Sequence, residues 1–349
     1  VLLYLGRRLV WAVLLAFVVA VITFVVFFVL PTTIHNRTND RGLDIHAQFQ
    51  ADGGSTVSQF LHFLHHVVIQ GDLGESTSQG IPVTAVVFER LPVTFSLVLG
   101  GVLIWLLIAF PIGILSALHP RSLLDKGSMV FVLIGASAHS VWVSLLLSYI
   151  FGVRLHAFPI AGYCDFHHHV NSENGCWGAG FWAYHMVLPW VAFSLVFAAL
   201  YARMIRASLL EVLEEDYIRT ARAKGASEAR VVRNHALRNA LLPVVTMLGM
   251  DVGIAFGGAI FIESVFDLPG IGRLFYQSII FGDVPVIMGI ALLISFVVVI
   301  ANLLVDVLYA FIDPRVGMSG AGSASLVPGP KRASRRRRRA QAAATESAT

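Results

Sequence analysis

The chain has 349 residues, of which 56% are hydrophobic and only 13% charged, with a mean hydropathy of +0.75. A soluble domain carries about 25% charged residues, so this composition excludes an ordinary soluble globular protein and points to a membrane protein. The formal net charge of +4 hides a strong clustering of the basic residues.

Six apolar runs are long enough to cross a bilayer, which takes ~20 residues each. They cover Leu9–Leu30, Val93–Leu118, Ser128–Phe151, Met186–Met204, Ala240–Ile262 and Val286–Ile312. The expected fold is therefore all-α and integral to the membrane. The first run is too long for a signal-peptide core and lacks a small-residue cleavage pattern, so it reads as a retained helix within a first unit, residues 1–30. Residues 31–92 form a polar segment with an apolar helical patch from Phe60 to Ile69, expected to fold as a small cap on the outer surface. In the second run Pro111 and Gly113, and in the fourth Pro189, can kink or loosen their helices.

The third run carries Ser137, His139, Ser140, Ser144 and Ser148, a polar face for protein or a solvated path rather than lipid. The loop after it holds Cys164 and Cys176. A disulfide there is allowed by compartment, and two free thiols are the alternative. The same loop has His156, His167, His168, His169, Glu173 and His185. Three adjacent imidazoles diverge too much to share one ion, so a solvated loop or partner surface is the better reading and no metal is assigned.

After the fourth run comes a basic, helix-prone stretch, Ile205 to Asn239. Ser208 and Glu211 have capping-box spacing, so a helix begins there or the preceding one continues. Gly225 breaks the pattern and Ser227 can cap a second helix, giving two short helices joined at Ala226. Small residues at Ala221, Ala223 and Gly225 suit close approach of another protein. A lipid-binding helix would carry bulky apolar anchors instead. The fifth run has Gly249, Gly253 and Gly257 at four-residue spacing, a face for close helix approach. Asp251 lies inside that run; an intramembrane carboxylate is costly and is either functional or a structural hydrogen-bond partner at a cavity. Residues 318–349 are Ala/Ser/Gly-rich with five consecutive arginines, Arg335 to Arg339, and are expected to be disordered against anionic lipid rather than on nucleic acid.

If the N-terminus is cytoplasmic, 20 of the 25 Lys and Arg residues fall inside and 5 outside. That bias predicts both termini in the cytoplasm. There is no Gly-x-x-x-x-Gly-Lys-Ser/Thr phosphate loop and no catalytic constellation, so the chain is not expected to be an enzyme, and no cofactor is implied.

The stretch Tyr201-Ala-Arg-Met-Ile-Arg-Ala-Ser-Leu-Leu-Glu-Val-Leu-Glu-Glu-Asp-Tyr-Ile-Arg-Thr-Ala-Arg-Ala-Lys-Gly225, with Arg238-Asn-Ala-Leu-Leu-Pro243, resembles the EAA loop of permeases in binding-protein-dependent ABC importers. Gly71-Asp-Leu-Gly-Glu-Ser76, Arg90-Leu-Pro-Val-Thr94, Glu263-Ser-Val-Phe-Asp-Leu-Pro-Gly-Ile-Gly-Arg-Leu274 and Asp313-Pro-Arg-Val316 narrow it to the first permease of the dipeptide/oligopeptide/nickel branch. The resemblance covers about residues 1–317. One departure is Ser137-Ala-His-Ser-Val141, where the family tends to have Ser-x-Pro-x-Phe, so His139 stands in for proline.

The resemblance implies a type I importer permease fold with a core over residues 93–317, its EAA loop at 205–239, in a bacterial inner membrane. Implied partners are a second homologous permease, two cytoplasmic ATP-binding subunits, an extracytoplasmic solute-binding protein and membrane lipid. Arg219, Thr220, Ala221, Lys224, Gly225 and Ala226 would couple to the ATPase, and Glu263, Pro269, Gly270 and Gly272 would shape an external turn. Ser137, His139, Ser140 and Asp251 are candidates for the path. Short peptides are the expected cargo; nickel, glutathione or haem-like cargo, or a stand-alone channel, are the alternatives.

Overall fold

The computed structural model describes residues 2–29, 55–166, 176 and 178–312. The His167–His169 run, Glu173, the Asp313–Val316 motif and the Arg-rich tail lie outside the described residues. Helices dominate, and the one β-type pairing among the described residues is an isolated bridge between Glu75 and Pro82.

Helix α1 (Leu2–Phe24) continues through a wider turn at Val25–Val29. It pairs with the last helix among the described residues, α11 (Val284–Ile312). In the segment before the second run lies α2 (Thr56–Leu64), whose Phe60 and buried Phe63 pack on Phe24 and Phe28 of the first span and on Met288 of α11. The apolar patch therefore caps the first span through an aromatic cluster. After it, Gly71 and Gly74 take left-handed conformations, with φ of 66° and 83°. They turn the chain so that Ser76, Thr77 and Ser78 clasp the buried carboxylate of Asp283. Burial opposes the charge on Asp283. Hydrogen bonds donated by the Ser76 and Ser78 hydroxyls and by the Ser78 and Thr77 N–H groups outweigh it and hold the carboxyl below its ordinary value.

Helix α3 (Val83–Leu118) is one unbroken element of 36 residues. At 1.5 Å per residue it is about 54 Å long, well beyond the ~30 Å hydrocarbon core. Its first turns project outward, where Val83, Val86 and Val87 bury against Ile271, Leu274, Val286 and Ile290. The Arg90–Thr94 motif lies inside this helix. Pro92 lies inside the helix, as does Pro111, because neighbouring helices in a membrane can compensate for the lost hydrogen bonds.

The third run is not one straight helix. It divides into α4 (Leu123–Ser137) and α5 (Ser140–Leu147, continued by Ser148–Arg154), bent by 107°. Ala138 and His139 are extended, with ψ of 127° and 139°, and the His139 ring accepts a hydrogen bond from the Val141 N–H at 3.3 Å. His139 thus caps α5, a role its imidazole can fill and a proline side chain cannot.

Helix α6 (Ala179–Leu213) extends past the fourth span without a break, so the Ser208–Glu211 spacing starts no new helix. It packs along α3, and glycine notches admit its rings. A Cβ on Gly101 would fall within 2.3 Å of the Phe193 ring, and one on Gly113 within 2.8 Å of the Ala202 carbonyl. Gly113 therefore serves close approach rather than a kink. Lipid-facing helices gain little from apolar burial, so this kind of fit holds them together.

After the arm at residues 205–239 come α9 (Leu242–Val265) and the short α10 (Ile271–Phe281). The two halves of α9 are bent by 54°. A Cβ at Gly249 would meet Val305 and Asn302, and one at Gly253 would meet Val298, so both glycines admit α11. Gly257 has nothing within 4 Å on that side. The bend turns it away, and the expected three-glycine face is a two-glycine face. Among the described residues, four helices are long and apolar enough to span a membrane, and six spans result when each bent pair counts as one.

Candidate functional site

The arm at residues 205–239 is built on α6. Beyond Leu213 the chain turns and enters α7 (Asp216–Ala223), with Asp216 in the first turn and Arg222 in the last, both favourable to the helix dipole. The end of α7 explains the sequence there. Gly225 has φ of 80°. Its N–H donates to the Arg222 carbonyl at 2.9 Å, and the Ala226 N–H donates to the Ala221 carbonyl at 3.2 Å. These are the two hydrogen bonds of a Schellman closure, which wants glycine at the left-handed position and an apolar contact between the residues flanking it. Ala221 and Ala226 are that contact and pack on the same apolar cluster.

Ser227 leads into α8, built from Glu228–Arg230, a wider turn at Val231–Ala236 and Leu237–Ala240. Its side chain makes no capping bond, contrary to the expected role. Across the turn, the Arg222 guanidinium grips Glu228 with two hydrogen bonds, at 2.5 and 3.1 Å. That pairing lowers the Glu228 carboxyl below its ordinary value. Because both side chains are well exposed, the pair orders the turn more than it stabilises the protein.

The arm is less detached than its polar sequence suggests. Ile218, Val231, Ala236 and Ala240 are buried with Leu209 of α6 and Ala117 of α3. Of the residues expected to meet a partner, Arg219, Thr220, Lys224 and Gly225 are exposed, while Ala221 and Ala226 are half-buried in the arm's own core.

Beneath the arm lies a network the sequence reading missed. Arg206 on α6 holds Asp125 of α4 with two hydrogen bonds, Nε to Oδ1 at 2.6 Å and Nη2 to Oδ2 at 2.9 Å. The Ser116 hydroxyl of α3 donates to the same carboxylate at 2.5 Å, and the Arg121 N–H does so at 2.9 Å. Three spans are thus fastened at one point directly beneath the arm. One signal was available: an acid and a base at the edges of apolar runs need each other.

On the other face, Glu263 ends α9 and is fully buried. It accepts from the Thr94 hydroxyl at 2.5 Å and the Arg273 N–H at 2.9 Å, and Thr94 in turn accepts from the Ile271 N–H at 2.8 Å. Gly270 rests directly on the Glu263 carboxylate, and a Cβ on Gly272 would lie 2.6 Å from the Ile260 Cα, so neither position has room for a side chain. Pro269 is half-buried in the same turn. Nearby, the structure joins Cys164 and Cys176 in a disulfide with Cα atoms 5.3 Å apart. His185 Nδ1 lies 3.1 Å from the Cys164 sulfur.

The four path candidates do not form one cluster. Ser137, His139 and Ser140 sit at the 107° break, where the His139 ring meets Phe261 of α9 edge-on at 5.6 Å. Asp251 instead accepts a hydrogen bond from the Tyr201 hydroxyl of α6 at 2.7 Å.

A helix–glycine–helix arm on a bundle with two broken spans can be compared with known proteins. Residues 109–318, more than half the chain, match the family described as binding-protein-dependent transport system inner membrane component. The chain belongs to this family. The permease is 36% identical over 324 residues to a putative peptide transport system permease protein of Brucella abortus, covering 89% of this chain and 97% of that protein. It is 39% identical over 259 residues to the oligopeptide transport system permease protein AppB of Bacillus subtilis, 74% of this chain and 79% of AppB. It is 33% identical over 317 residues to the dipeptide transport system permease protein DppB of Escherichia coli, 85% of this chain and 94% of DppB. The permease is a multi-pass inner membrane protein and a subunit of an ATP-driven importer.

For its transport, Arg206→Ala is expected to lower uptake by at least about tenfold, because it strands the Asp125 carboxylate and unfastens the three spans. Arg206→Lys keeps the charge without the two-pronged grip and should fall between. Uptake and melting point measured together check this; an alanine variant equal to wild type in both would show that the network fastens nothing.

Proposed function

We propose that this permease forms half of the path of an importer for di- or oligopeptides and couples to ATP hydrolysis through the arm at 205–239. The observation that carries the reading is the exposed turn Arg219–Lys224–Gly225, closed by a Schellman motif and seated on a core shared with α3 and α6. A rigid lever with its base in the membrane can pass a partner's motion into the spans. The peptide permeases that the chain resembles over most of its length support the cargo.

In this reading the partners are a second homologous permease, two cytoplasmic ATP-binding subunits and an extracytoplasmic solute-binding protein. Both termini are cytoplasmic, as the Lys/Arg bias supports. Ser137, His139, Ser140 and Asp251 line the path. His139 and Ser137 are exposed at the break in the third span, and Tyr201 holds the Asp251 carboxylate in place. The turn around Glu263, Pro269, Gly270 and Gly272 keeps α10 fixed on the outer face, and the Cys164–Cys176 bridge holds the neighbouring loop.

The test is reconstitution of the permease with its partner permease, ATP-binding subunits and solute-binding protein in sealed vesicles. Labelled di- and oligopeptides should accumulate only with ATP and binding protein present, and the purified permease alone should hydrolyse no ATP. Uptake of nickel ion or glutathione in place of peptides, or hydrolysis by the permease alone, would overturn the reading.

A further inference from the structure

Among the described residues, Cys164, Cys176 and His185 bring their sulfur and ring-nitrogen atoms within 4.8 Å of one another. Cys164 is buried, and the other two are half-buried. They meet where the loop after α5 joins α6, and His185 stands on α6 itself. The chain has only these 2 cysteines, and they are bridged with Cα atoms 5.3 Å apart. The set draws on none of His167, His168 and His169.

The His185 ring is oriented for ligation. Its Nδ1 lies 2.9 Å from the Phe181 carbonyl oxygen, one helical turn back, and 3.1 Å from the Cys164 sulfur. A carbonyl oxygen only accepts, so Nδ1 carries the proton and Nε2 keeps its lone pair. Metal-ligating histidines are held in this way, one ring nitrogen donating to a backbone carbonyl while the other binds the ion. Nε2 lies 3.6 Å from the Cys164 sulfur. With Zn–S near 2.3 Å and Zn–N near 2.0–2.1 Å, the S···N edge of a zinc tetrahedron is about 3.6 Å. A square-planar ion such as nickel(II) sets neighbouring ligands at right angles, and the same bond lengths then give an edge of about 3.1 Å. Two sulfurs on one tetrahedral zinc stand about 3.8 Å apart. Rotation about the Cα–Cβ bonds reaches that spacing once the S–S bond is gone.

The ligands stay together without the bridge. The Gly178 N–H donates to the Asp165 carbonyl at 3.1 Å, which ties the residue after Cys164 to the chain just beyond Cys176. The Gly162 N–H donates to the Phe266 carbonyl at 3.0 Å. Phe166 meets Trp182 of α6 edge-on, with ring centroids 5.3 Å apart. Cleaving the disulfide therefore leaves both cysteines beside His185.

We propose that the reduced form of this loop is a zinc site, with the Cys164 and Cys176 thiolates and His185 Nε2 as ligands and the fourth position open to water. The bridge and the ion are alternative closures of one loop. A dithiol reduces the bridge: two electrons and two protons pass to the sulfurs, and the dithiol becomes a disulfide. Zn2+ then takes the place of both thiol protons, which leave to solvent. Thiolate with imidazole in a tetrahedral arrangement selects zinc, whereas magnesium and calcium take oxygen ligands. Neither the cargo nor the side of the membrane on which the loop lies enters this assignment.

The test uses the full chain in detergent, with the bridge intact or reduced by a water-soluble phosphine, which becomes the phosphine oxide by taking oxygen from water. The phosphine is removed without air, and bound zinc is counted by elemental mass spectrometry after dialysis against Zn2+. Reduced permease should hold about one Zn2+ more per chain than bridged permease. Histidines elsewhere bind adventitious zinc equally in both states, so the difference cancels them. Cobalt(II) in place of zinc should give a thiolate-to-metal charge-transfer band and the strong visible bands of a tetrahedral site. With only 2 cysteines in the chain, that band reports this pair alone. His185→Ala should weaken zinc binding by about a hundredfold or more, beyond what loss of an outer-shell partner costs. If that variant folds poorly, the cobalt spectrum of the wild type decides. Equal zinc in both redox states would overturn the proposal, as would a cobalt complex without the thiolate band. So would unchanged zinc affinity in folded His185→Ala, or nickel(II) held as tightly as zinc.

Discussion

Glu263→Ala is expected to destabilise the permease by about 2–5 kcal/mol, measured as a shift of the unfolding transition in detergent. The side chain is fully buried. The substitution leaves the Thr94 hydroxyl and the Arg273 N–H without their acceptor, and each buried donor left unsatisfied costs about 1–3 kcal/mol. Thr94 also receives the Ile271 N–H, so the loss reaches the first turn of α10. Glu263→Gln keeps the shape and one acceptor oxygen and should cost less than the alanine variant. Because Gly270 rests on the carboxylate, the space left by alanine sits under a backbone that cannot fill it with a side chain. A shift below about 1 kcal/mol for the alanine variant would show that the turn is held by something other than this carboxylate.

Gly225→Pro is expected to abolish coupled uptake while leaving the permease in the membrane. Proline fixes φ near −65°, and Gly225 sits at φ of 80°. The variant also loses the N–H that closes α7 on the Arg222 carbonyl. Both changes fall on an exposed residue, so the spans and their glycine contacts should persist. The α7–α8 angle should not, and Ala226 should leave Ala221. Because Ile218 and Val231 are buried beside the turn, some loosening of the arm's inner core is part of the expected result. The measurement is peptide uptake together with the response of ATP hydrolysis to loaded binding protein, in membranes with normal permease content. Uptake at the wild-type rate would end the lever reading. Gly225→Ala, which only strains the left-handed position, should give a partial loss.

Much of the molecule was open to reading from its residues, for reasons that lie close to the chain. Hydrocarbon admits only long apolar helices with internally satisfied backbones, so the six runs announced the bundle. The external segment and the arm showed up as departures from apolarity, and Gly225 was legible because a basic helical pattern stops at it. What escaped were contacts between residues far apart in sequence. Arg206 and Asp125 were two ordinary charges until α4 and α6 were packed together, and Asp283 was unremarked until the 71–78 turn closed on it.

Two further readings changed when the helices met. Ala221 and Ala226 look from sequence like a surface for another protein, and the structure adds a second use for them in the Schellman closure and the buried cluster. The third run has enough apolar length for one span, and its one local sign of the 107° bend is the Ser137–Val141 departure from the family pattern. His139 makes that bend possible by capping the second half, a role visible only once Ala138 and His139 are seen extended. Transfer into lipid depends on composition summed along the chain, and composition alone determined the class and the spans of this protein. The pairing of buried charges, the side on which each glycine is used and the angle of each break depend on which helix lies against which, and only the tertiary structure decided them.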